Sequence, residues 1–183
     1  MNELRFILRD ETRVAHTRLD EALVSYDLAD PVGLAKYLSI HYLARQHLTT
    51  MLNGLEALRD DTSRLNDLTL DLSTLGVPLP SWISPPDQTS KNPLGLIYVI
   101  AGSSLGSKVL YKNWALSTHP LVNRANLFVT HSKNNDIWTR FLAYIKNKEF
   151  SQSETKDIIT SANFCFKVFE AANDQVKAKT YDD

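Results

Sequence analysis

Helix breakers are scarce in this 183-residue chain and unevenly placed: there are six glycines and seven prolines, and five of the prolines fall between residues 77 and 93. On either side of that segment, apolar residues recur every three or four positions, which predicts an all-α fold. With 43% of its residues apolar, the chain can fill one core, and a single domain over 1–183 is expected. A first helix is expected over about residues 2–25, with Leu4, Leu8, Thr12, Ala15, Leu19 and Ala22 on one stripe. Asp30 and Pro31 open a second, the acid as N-cap and the proline in the first turn, with Tyr37, Ile40, Ala44, Leu48, Met51 and Leu55 facing inward. Leu65, Leu68, Leu72 and Leu75 mark a third that Gly76 stops.

The proline-rich segment reads as one long connection or lid. Asn92 and Pro93 then open the least polar helix, expected to continue until His119 and Pro120. Residues 121–131 read as a short helix or irregular stretch. Residues 136–146 follow as a helix burying Ile137, Phe141 and Tyr144 or Ile145, and Ser153 is the expected cap of the last helix.

Charge and cysteine content remove several function classes. Twenty Lys and Arg against twenty-one Asp and Glu give a formal charge of −1, without the basic footprint of a nucleic-acid binder. Cys165 is the only cysteine, so no intrachain disulfide or cysteine-rich zinc site forms. Mixed charges in the first eleven residues do not read as a secretory signal. The most apolar run, residues 94–105, is broken by Gly and Ser and falls short of the roughly 20 residues a membrane span needs. A cytoplasmic protein with no membrane partner is expected.

Two segments carry chemistry. Arg9, Thr12, His16 and Asp20 are spaced by three, four and four, so they share one edge of the first helix. The plain reading is a solvated edge; the chemical one is a neutral imidazole offered to iron or zinc, its orientation set by what the other ring nitrogen meets. Arg9 lies two turns before His16, roughly 10 Å along the axis, which suits a ligand with a metal at its centre and an acid at its edge. In the least polar helix, Gly102 and Gly106 stack on one face. Each costs about 0.5–1 kcal/mol relative to alanine, so close backbone approach is expected, by another helix or by a flat ligand. The hydroxyls of Ser103, Ser104 and Ser107 beside them weigh toward the ligand.

Other candidates read as structural. His41, beside the Tyr37, Ala44 and Leu48 stripe, is expected to be a satisfied core histidine rather than a second pocket residue. His119 sits at a helix end where a cation suits the dipole and His131 in a polar segment, and neither needs a chemical role; His47 lies on the second helix. Cys165, within FCFKVF, reads as a small hydrophobe rather than the nucleophile of a thiaminase-like hydrolase. Trp82, Trp114 and Trp138 read as core or rim aromatics. The sequence has no Glu-x-x-His pair for a di-iron bundle and no phosphate-cradling glycine motif.

LRDETRVAHTRLDEAL resembles the proximal helix of biliverdin-producing haem oxygenases, particularly the shorter bacterial ones, with Thr12 and His16 in a T-x-x-x-H pattern. GSSLGSKVL resembles their distal helix, and IWTRFLAYI and ANFCFKVFEAA are similar, more loosely, to their C-terminal helices. The resemblance implies an all-α bundle that holds haem between the two helices, with His16 as axial iron ligand and Arg9 paired with a propionate. Gly102 and Gly106 would give the distal backbone close access, while Thr12 and Ser107 would line the site. Ser103, where many members carry an acid, would act beside bound dioxygen, and Arg140 would be a further propionate partner. Haem would be both cofactor and substrate, cleaved with O₂ to biliverdin, CO and Fe²⁺ by electrons from an external reductase or ferredoxin. Biliverdin would supply a phytochrome, or the reaction would serve iron acquisition. The competing reading is a haem- or tetrapyrrole-binding module without turnover, or a partner-binding bundle that keeps only the fold.

Overall fold

The structure, a computed structural model, describes residues 3–52, 55, 58, 61–89, 92–133 and 136–178; of 61–63, 107, 132 and 133 it describes the backbone alone. The described residues form α-helices and no strand: α1 Glu3–Val24, α2 Pro31–Thr49, α3 Asp61–Thr74, α4 Pro93–Trp114, α5 Pro120–Arg124, α6 Leu127–Lys133, α7 Ile137–Ile145 and α8 Gln152–Ala178. No single helix among them is long and apolar enough to cross a membrane.

α8 organises the bundle. Ile158, Ala162, Phe164, Cys165, Phe166, Val168, Phe169 and Ala172 are all buried, too wide an apolar surface for one stripe, so neighbours cover several sides. α4, α1 and α2 pack along it. α2 is likewise covered on two sides, by α8 and α3, which buries Leu34, Leu38 and Leu43 besides the expected Tyr37, Ile40, Ala44 and Leu48. A second core, shared by α2, α3, α5 and α6, gathers Leu28, Leu38, Leu68, Leu72, Val122 and Phe128.

The termini follow local chemistry. Asp30 caps α2 by accepting from the Gly33 amide at 2.9 Å. Gly76, at φ 73°, ends α3 in a Schellman turn, its amide bonded to the Ser73 carbonyl and that of Val77 to Leu72, both at 3.0 Å. Four expectations are corrected. α2 stops at Thr49, so Met51 and Leu55 pack on the core from beyond the helix. α4 ends at Trp114, five residues before His119. His119 caps the start of α5, its Nδ1 accepting from the Leu121 amide at 3.2 Å, so it serves as an acceptor at an N-terminus and not as a cation at a C-terminus. Ser151, not Ser153, caps α8: its Oγ accepts from the Glu154 amide at 3.2 Å while the Glu154 carboxylate accepts from the Ser151 amide at 2.8 Å, a capping box.

The proline-rich segment is a tethered connection. The Trp82 indole donates to the Leu43 carbonyl at 3.0 Å, and Gln175 both accepts from the Ile83 amide at 2.9 Å and donates to the Ser81 carbonyl at 3.0 Å. His47 Nε2 meets the Pro86 carbonyl at 3.1 Å. These bonds lay the segment on α2 and α8, which argues against a lid.

Candidate functional site

α1 and α4 both pack along α8, and Leu4 and Leu8 of α1 join the same core as Leu96, Ile97 and Ile100 of α4. The two helices come together at Thr12. Its hydroxyl donates to the Leu8 carbonyl at 2.7 Å, and the residue, 2% exposed, lies beside the Tyr98 hydroxyl of α4. Burial pushes the Tyr98 phenol above its usual value and outweighs the opposing pull of Thr12, Arg9 and Arg5, so the group stays neutral.

His16 stands one turn further along α1, its side chain 58% exposed. Nδ1 lies 3.1 Å from Asp20 Oδ2, and the ring meets Phe166 of α8 edge-on at 5.8 Å between centroids. A carboxylate this close to Nδ1 favours the proton on that nitrogen and leaves Nε2 as the nitrogen available to a metal. Arg9 pairs only with its exposed neighbour Asp10, at 3.0 Å, and covers Phe6. Arg140 reaches Asp136 on its own helix at 3.0 Å.

On α4, a Cβ added at Gly106 would meet nothing within 4 Å, and one at Gly102 would meet only Trp138 Cζ3, at 3.8 Å. Neither glycine therefore meets another helix's backbone: Gly106 is open, and Gly102 lies in van der Waals contact with the Trp138 ring of α7. The close approach expected of this helix occurs at Gly95, where a Cβ would stand 2.1 Å from the Ile158 carbonyl oxygen of α8. α4 also turns by 47° between Pro93–Gly106 and Lys108–Trp114. Glycine and serine pairs weaken a helix locally, and the hydroxyls of Ser103 and Ser104 donate to the carbonyls of Ile100 and Ala101 at 2.7 and 2.6 Å, a back-bonding that bends helices. The Ser107 side chain lies outside the described residues.

The arrangement fits a flat, iron-centred ligand. α1 offers an exposed imidazole beside a carboxylate, and α4 offers helical backbone that is open at Gly106. Among the described residues, no cluster of three or more His, Cys, Asp or Glu side chains could hold a metal ion.

The other candidates are placed elsewhere. Cys165 is buried with Sγ 3.9 Å from the Leu96 carbonyl, far from the exposure a nucleophile needs. His131 Nδ1 meets Asp67 of α3 at 2.7 Å, tying α6 to α3. His41 is in the core, as expected, but it is not satisfied: both ring nitrogens are buried without a hydrogen-bond partner, among the rings of Tyr37, Phe128 and Phe169. Burial, then the nearby Arg45 guanidinium, hold this imidazole well below its ordinary value and keep it neutral. Periodicity shows such a residue to be buried but not whether a partner faces it. Sequence reasoning passed over Tyr98, and it left Trp138 between core and rim, since aromatics at helical spacing carry no signal of what they face.

No family model matches the chain. A haem oxygenase of Xanthomonas campestris pv. campestris is 28% identical over 106 residues, 58% of this chain and 64% of that protein, so the match spans just under two thirds of the relative's length. The crystal structures of the NO- and CO-bound haem oxygenase from Neisseria meningitidis align over 98% of this chain and 94% of that one, with a TM-score of 0.69 and 17% identity. In sequence over the matched stretch, and in fold over nearly its whole length, this chain is similar to bacterial haem oxygenases.

Proposed function

We propose that this protein is a haem oxygenase that opens haem to biliverdin, CO and Fe²⁺ between α1 and α4. The observation that carries this reading is the pairing of an exposed, carboxylate-oriented His16 with the unfilled backbone at Gly102 and Gly106, within a fold of the same class. When bound, haem supplies the iron centre for dioxygen chemistry and is itself the substrate. His16 Nε2 holds the iron, and Asp20 keeps the ring in the tautomer that frees that nitrogen. Phe166 of α8 supports the ring. Arg9 exchanges Asp10 for a propionate, a cheap exchange because an exposed pair is worth about 0–1 kcal/mol. Thr12 acts where α1 meets α4, beside Tyr98.

At Gly102 and Gly106 the absence of side chains lets backbone and solvent approach the far face of the ligand. The Ser103 hydroxyl, donating to Ile100, presents its lone pairs as an acceptor there and holds a water proton in place of the carboxylate seen at this position in many related enzymes. Electrons come from an external reductase or ferredoxin in the cytoplasm, and the biliverdin serves a phytochrome or is the by-product of iron acquisition.

A haemin titration followed by Soret absorption tests the reading. The wild type is expected to give a one-to-one complex that His16→Ala loses without loss of helical circular dichroism. Ascorbate or a reductase in air should then convert the wild-type band to a biliverdin spectrum with release of CO. A stable reduced complex would instead make the chain a binding module.

A further inference from the structure

We propose that Trp138 is the specificity-determining wall of the haem site: its indole fixes how the haem is rotated in its plane, and so which biliverdin isomer is released. This rests on the haem oxygenase reading. Trp138 belongs to α7, yet its Cζ3 is the one side-chain atom within 4 Å of the open side of Gly102 among the described residues. The indole stacks on the buried Phe141 at 5.5 Å and 22°, and meets Tyr98 at 5.9 Å. The Arg5 guanidinium of α1 lies 5.9 Å from its centroid. Contacts from α1, α4 and α7 thus hold one half-buried ring beside the Gly102 backbone.

Why such a ring should decide the isomer follows from the shape of the ligand. A porphyrin is nearly square, so turning it by a quarter about the iron changes little at the axial imidazole. His16 holds the centre but cannot choose among the four meso carbons. The choice falls to rigid contacts at the periphery, and a reacting atom must be held within a fraction of an ångström to react. The exposed side chains further along α4, Leu105 and Val109, are single flexible aliphatics. Trp138 is large, has two side-chain torsions and is packed on both Phe141 and Tyr98, which makes it the stiff edge beside the glycine backbone.

The test uses the full chain as wild type, Trp138→Phe and Trp138→Ala, each loaded with haemin. Proton NMR of the haem methyl groups in the cyanide complex reads the seating, and chromatography of the biliverdin isomers reads the product. Trp138→Ala is expected to keep the wild-type Soret position and lower the ratio of major to minor seating and isomer by about tenfold, equivalent to about 1.4 kcal/mol. Trp138→Phe, which keeps the stack on Phe141 but lacks the reach of Cζ3, should shift both in the same direction by less. A normal Soret complex with unchanged seating and isomer ratio in Trp138→Ala overturns the assignment. Should that variant fail to fold, Trp138→Phe decides alone, and ratios equal to wild type overturn it. Failure of the wild type to bind haemin is a different result, since it sinks the parent reading and this inference with it.

Discussion

The two halves of α4 both carry glycine, but in different surroundings. From Leu94 to Ala101 the helix is pressed into the core, and at Gly95 its backbone lies so close to α8 that no side chain fits. From Gly102 to Val109 it is largely exposed before Leu110, Tyr111 and Trp114 join the second core: Leu105 and Val109 are 58% and 65% exposed, and the glycine at 106 faces open space. The same residue type therefore does two jobs in one helix. In the first half glycine permits helix-on-helix contact; in the second it keeps a surface bare for something that is not protein.

Substitution at these positions should separate the two jobs. Gly95→Ala is expected to have the largest effect, about 3 kcal/mol or more of lost stability in urea unfolding, because the new methyl overlaps a backbone carbonyl that cannot swing aside. A loss below about 1 kcal/mol would show that the α4–α8 contact yields easily, and the contrast between the halves would weaken.

Behind the packed half, His41 gives a pH test. Its imidazole is held neutral below the ordinary value of 6.5, so the unfolded chain takes up a proton that the native one does not. Stability should therefore be fully present above pH 6.5 and fall as pH drops below it, with a slope approaching about 1.4 kcal/mol per pH unit down to the native titration. Urea midpoints from pH 7.5 to 5 should fall less steeply in His41→Gln than in the wild type. Equal slopes would place the acid sensitivity elsewhere.

At the boundary between the halves, Tyr98→Phe removes the hydroxyl beside Thr12 and should cost about 1 kcal/mol. Because that contact links α1 to α4, haemin affinity should fall as well; intact affinity would leave Tyr98 with a purely structural task. In the open half, Gly106→Ala is expected to stabilise the apoprotein by about 0.5–1 kcal/mol, since the helix gains propensity and the methyl meets nothing. The same variant should weaken haemin binding or slow its turnover. A more stable protein with unchanged haem chemistry would remove the reason for the bare backbone.

Much of the fold is legible along the chain because its signals are local. Asp30, Pro31, Gly76 and Asn92 act on amides and carbonyls a few residues away, and the all-helical class follows from a period that each segment repeats. Ends set by competing caps were less legible: Ser151 and Ser153 are both good N-caps, and the reciprocal Glu154 decides between them. Of the site, His16 and the 102/106 pair stood out because a polar edge and paired glycines are costly in a helix and call for a reason. Tyr98, Phe166 and Trp138 did not, since aromatics at helical spacing look alike whether they face a core or a groove.

By itself, then, the sequence determined which segments are helices, most of their termini, and which residues are chemically out of place on them. Only the tertiary structure decided that Gly95 is the packing glycine while Gly102 and Gly106 are left bare, that His16 is exposed and His41 buried without a partner, and that Trp138 stands beside the open backbone. Helix period and capping are interactions within a few residues, encoded where they act. Whether a helix face meets another helix, a ligand or water depends on residues distant in the chain, and no local pattern carries that information.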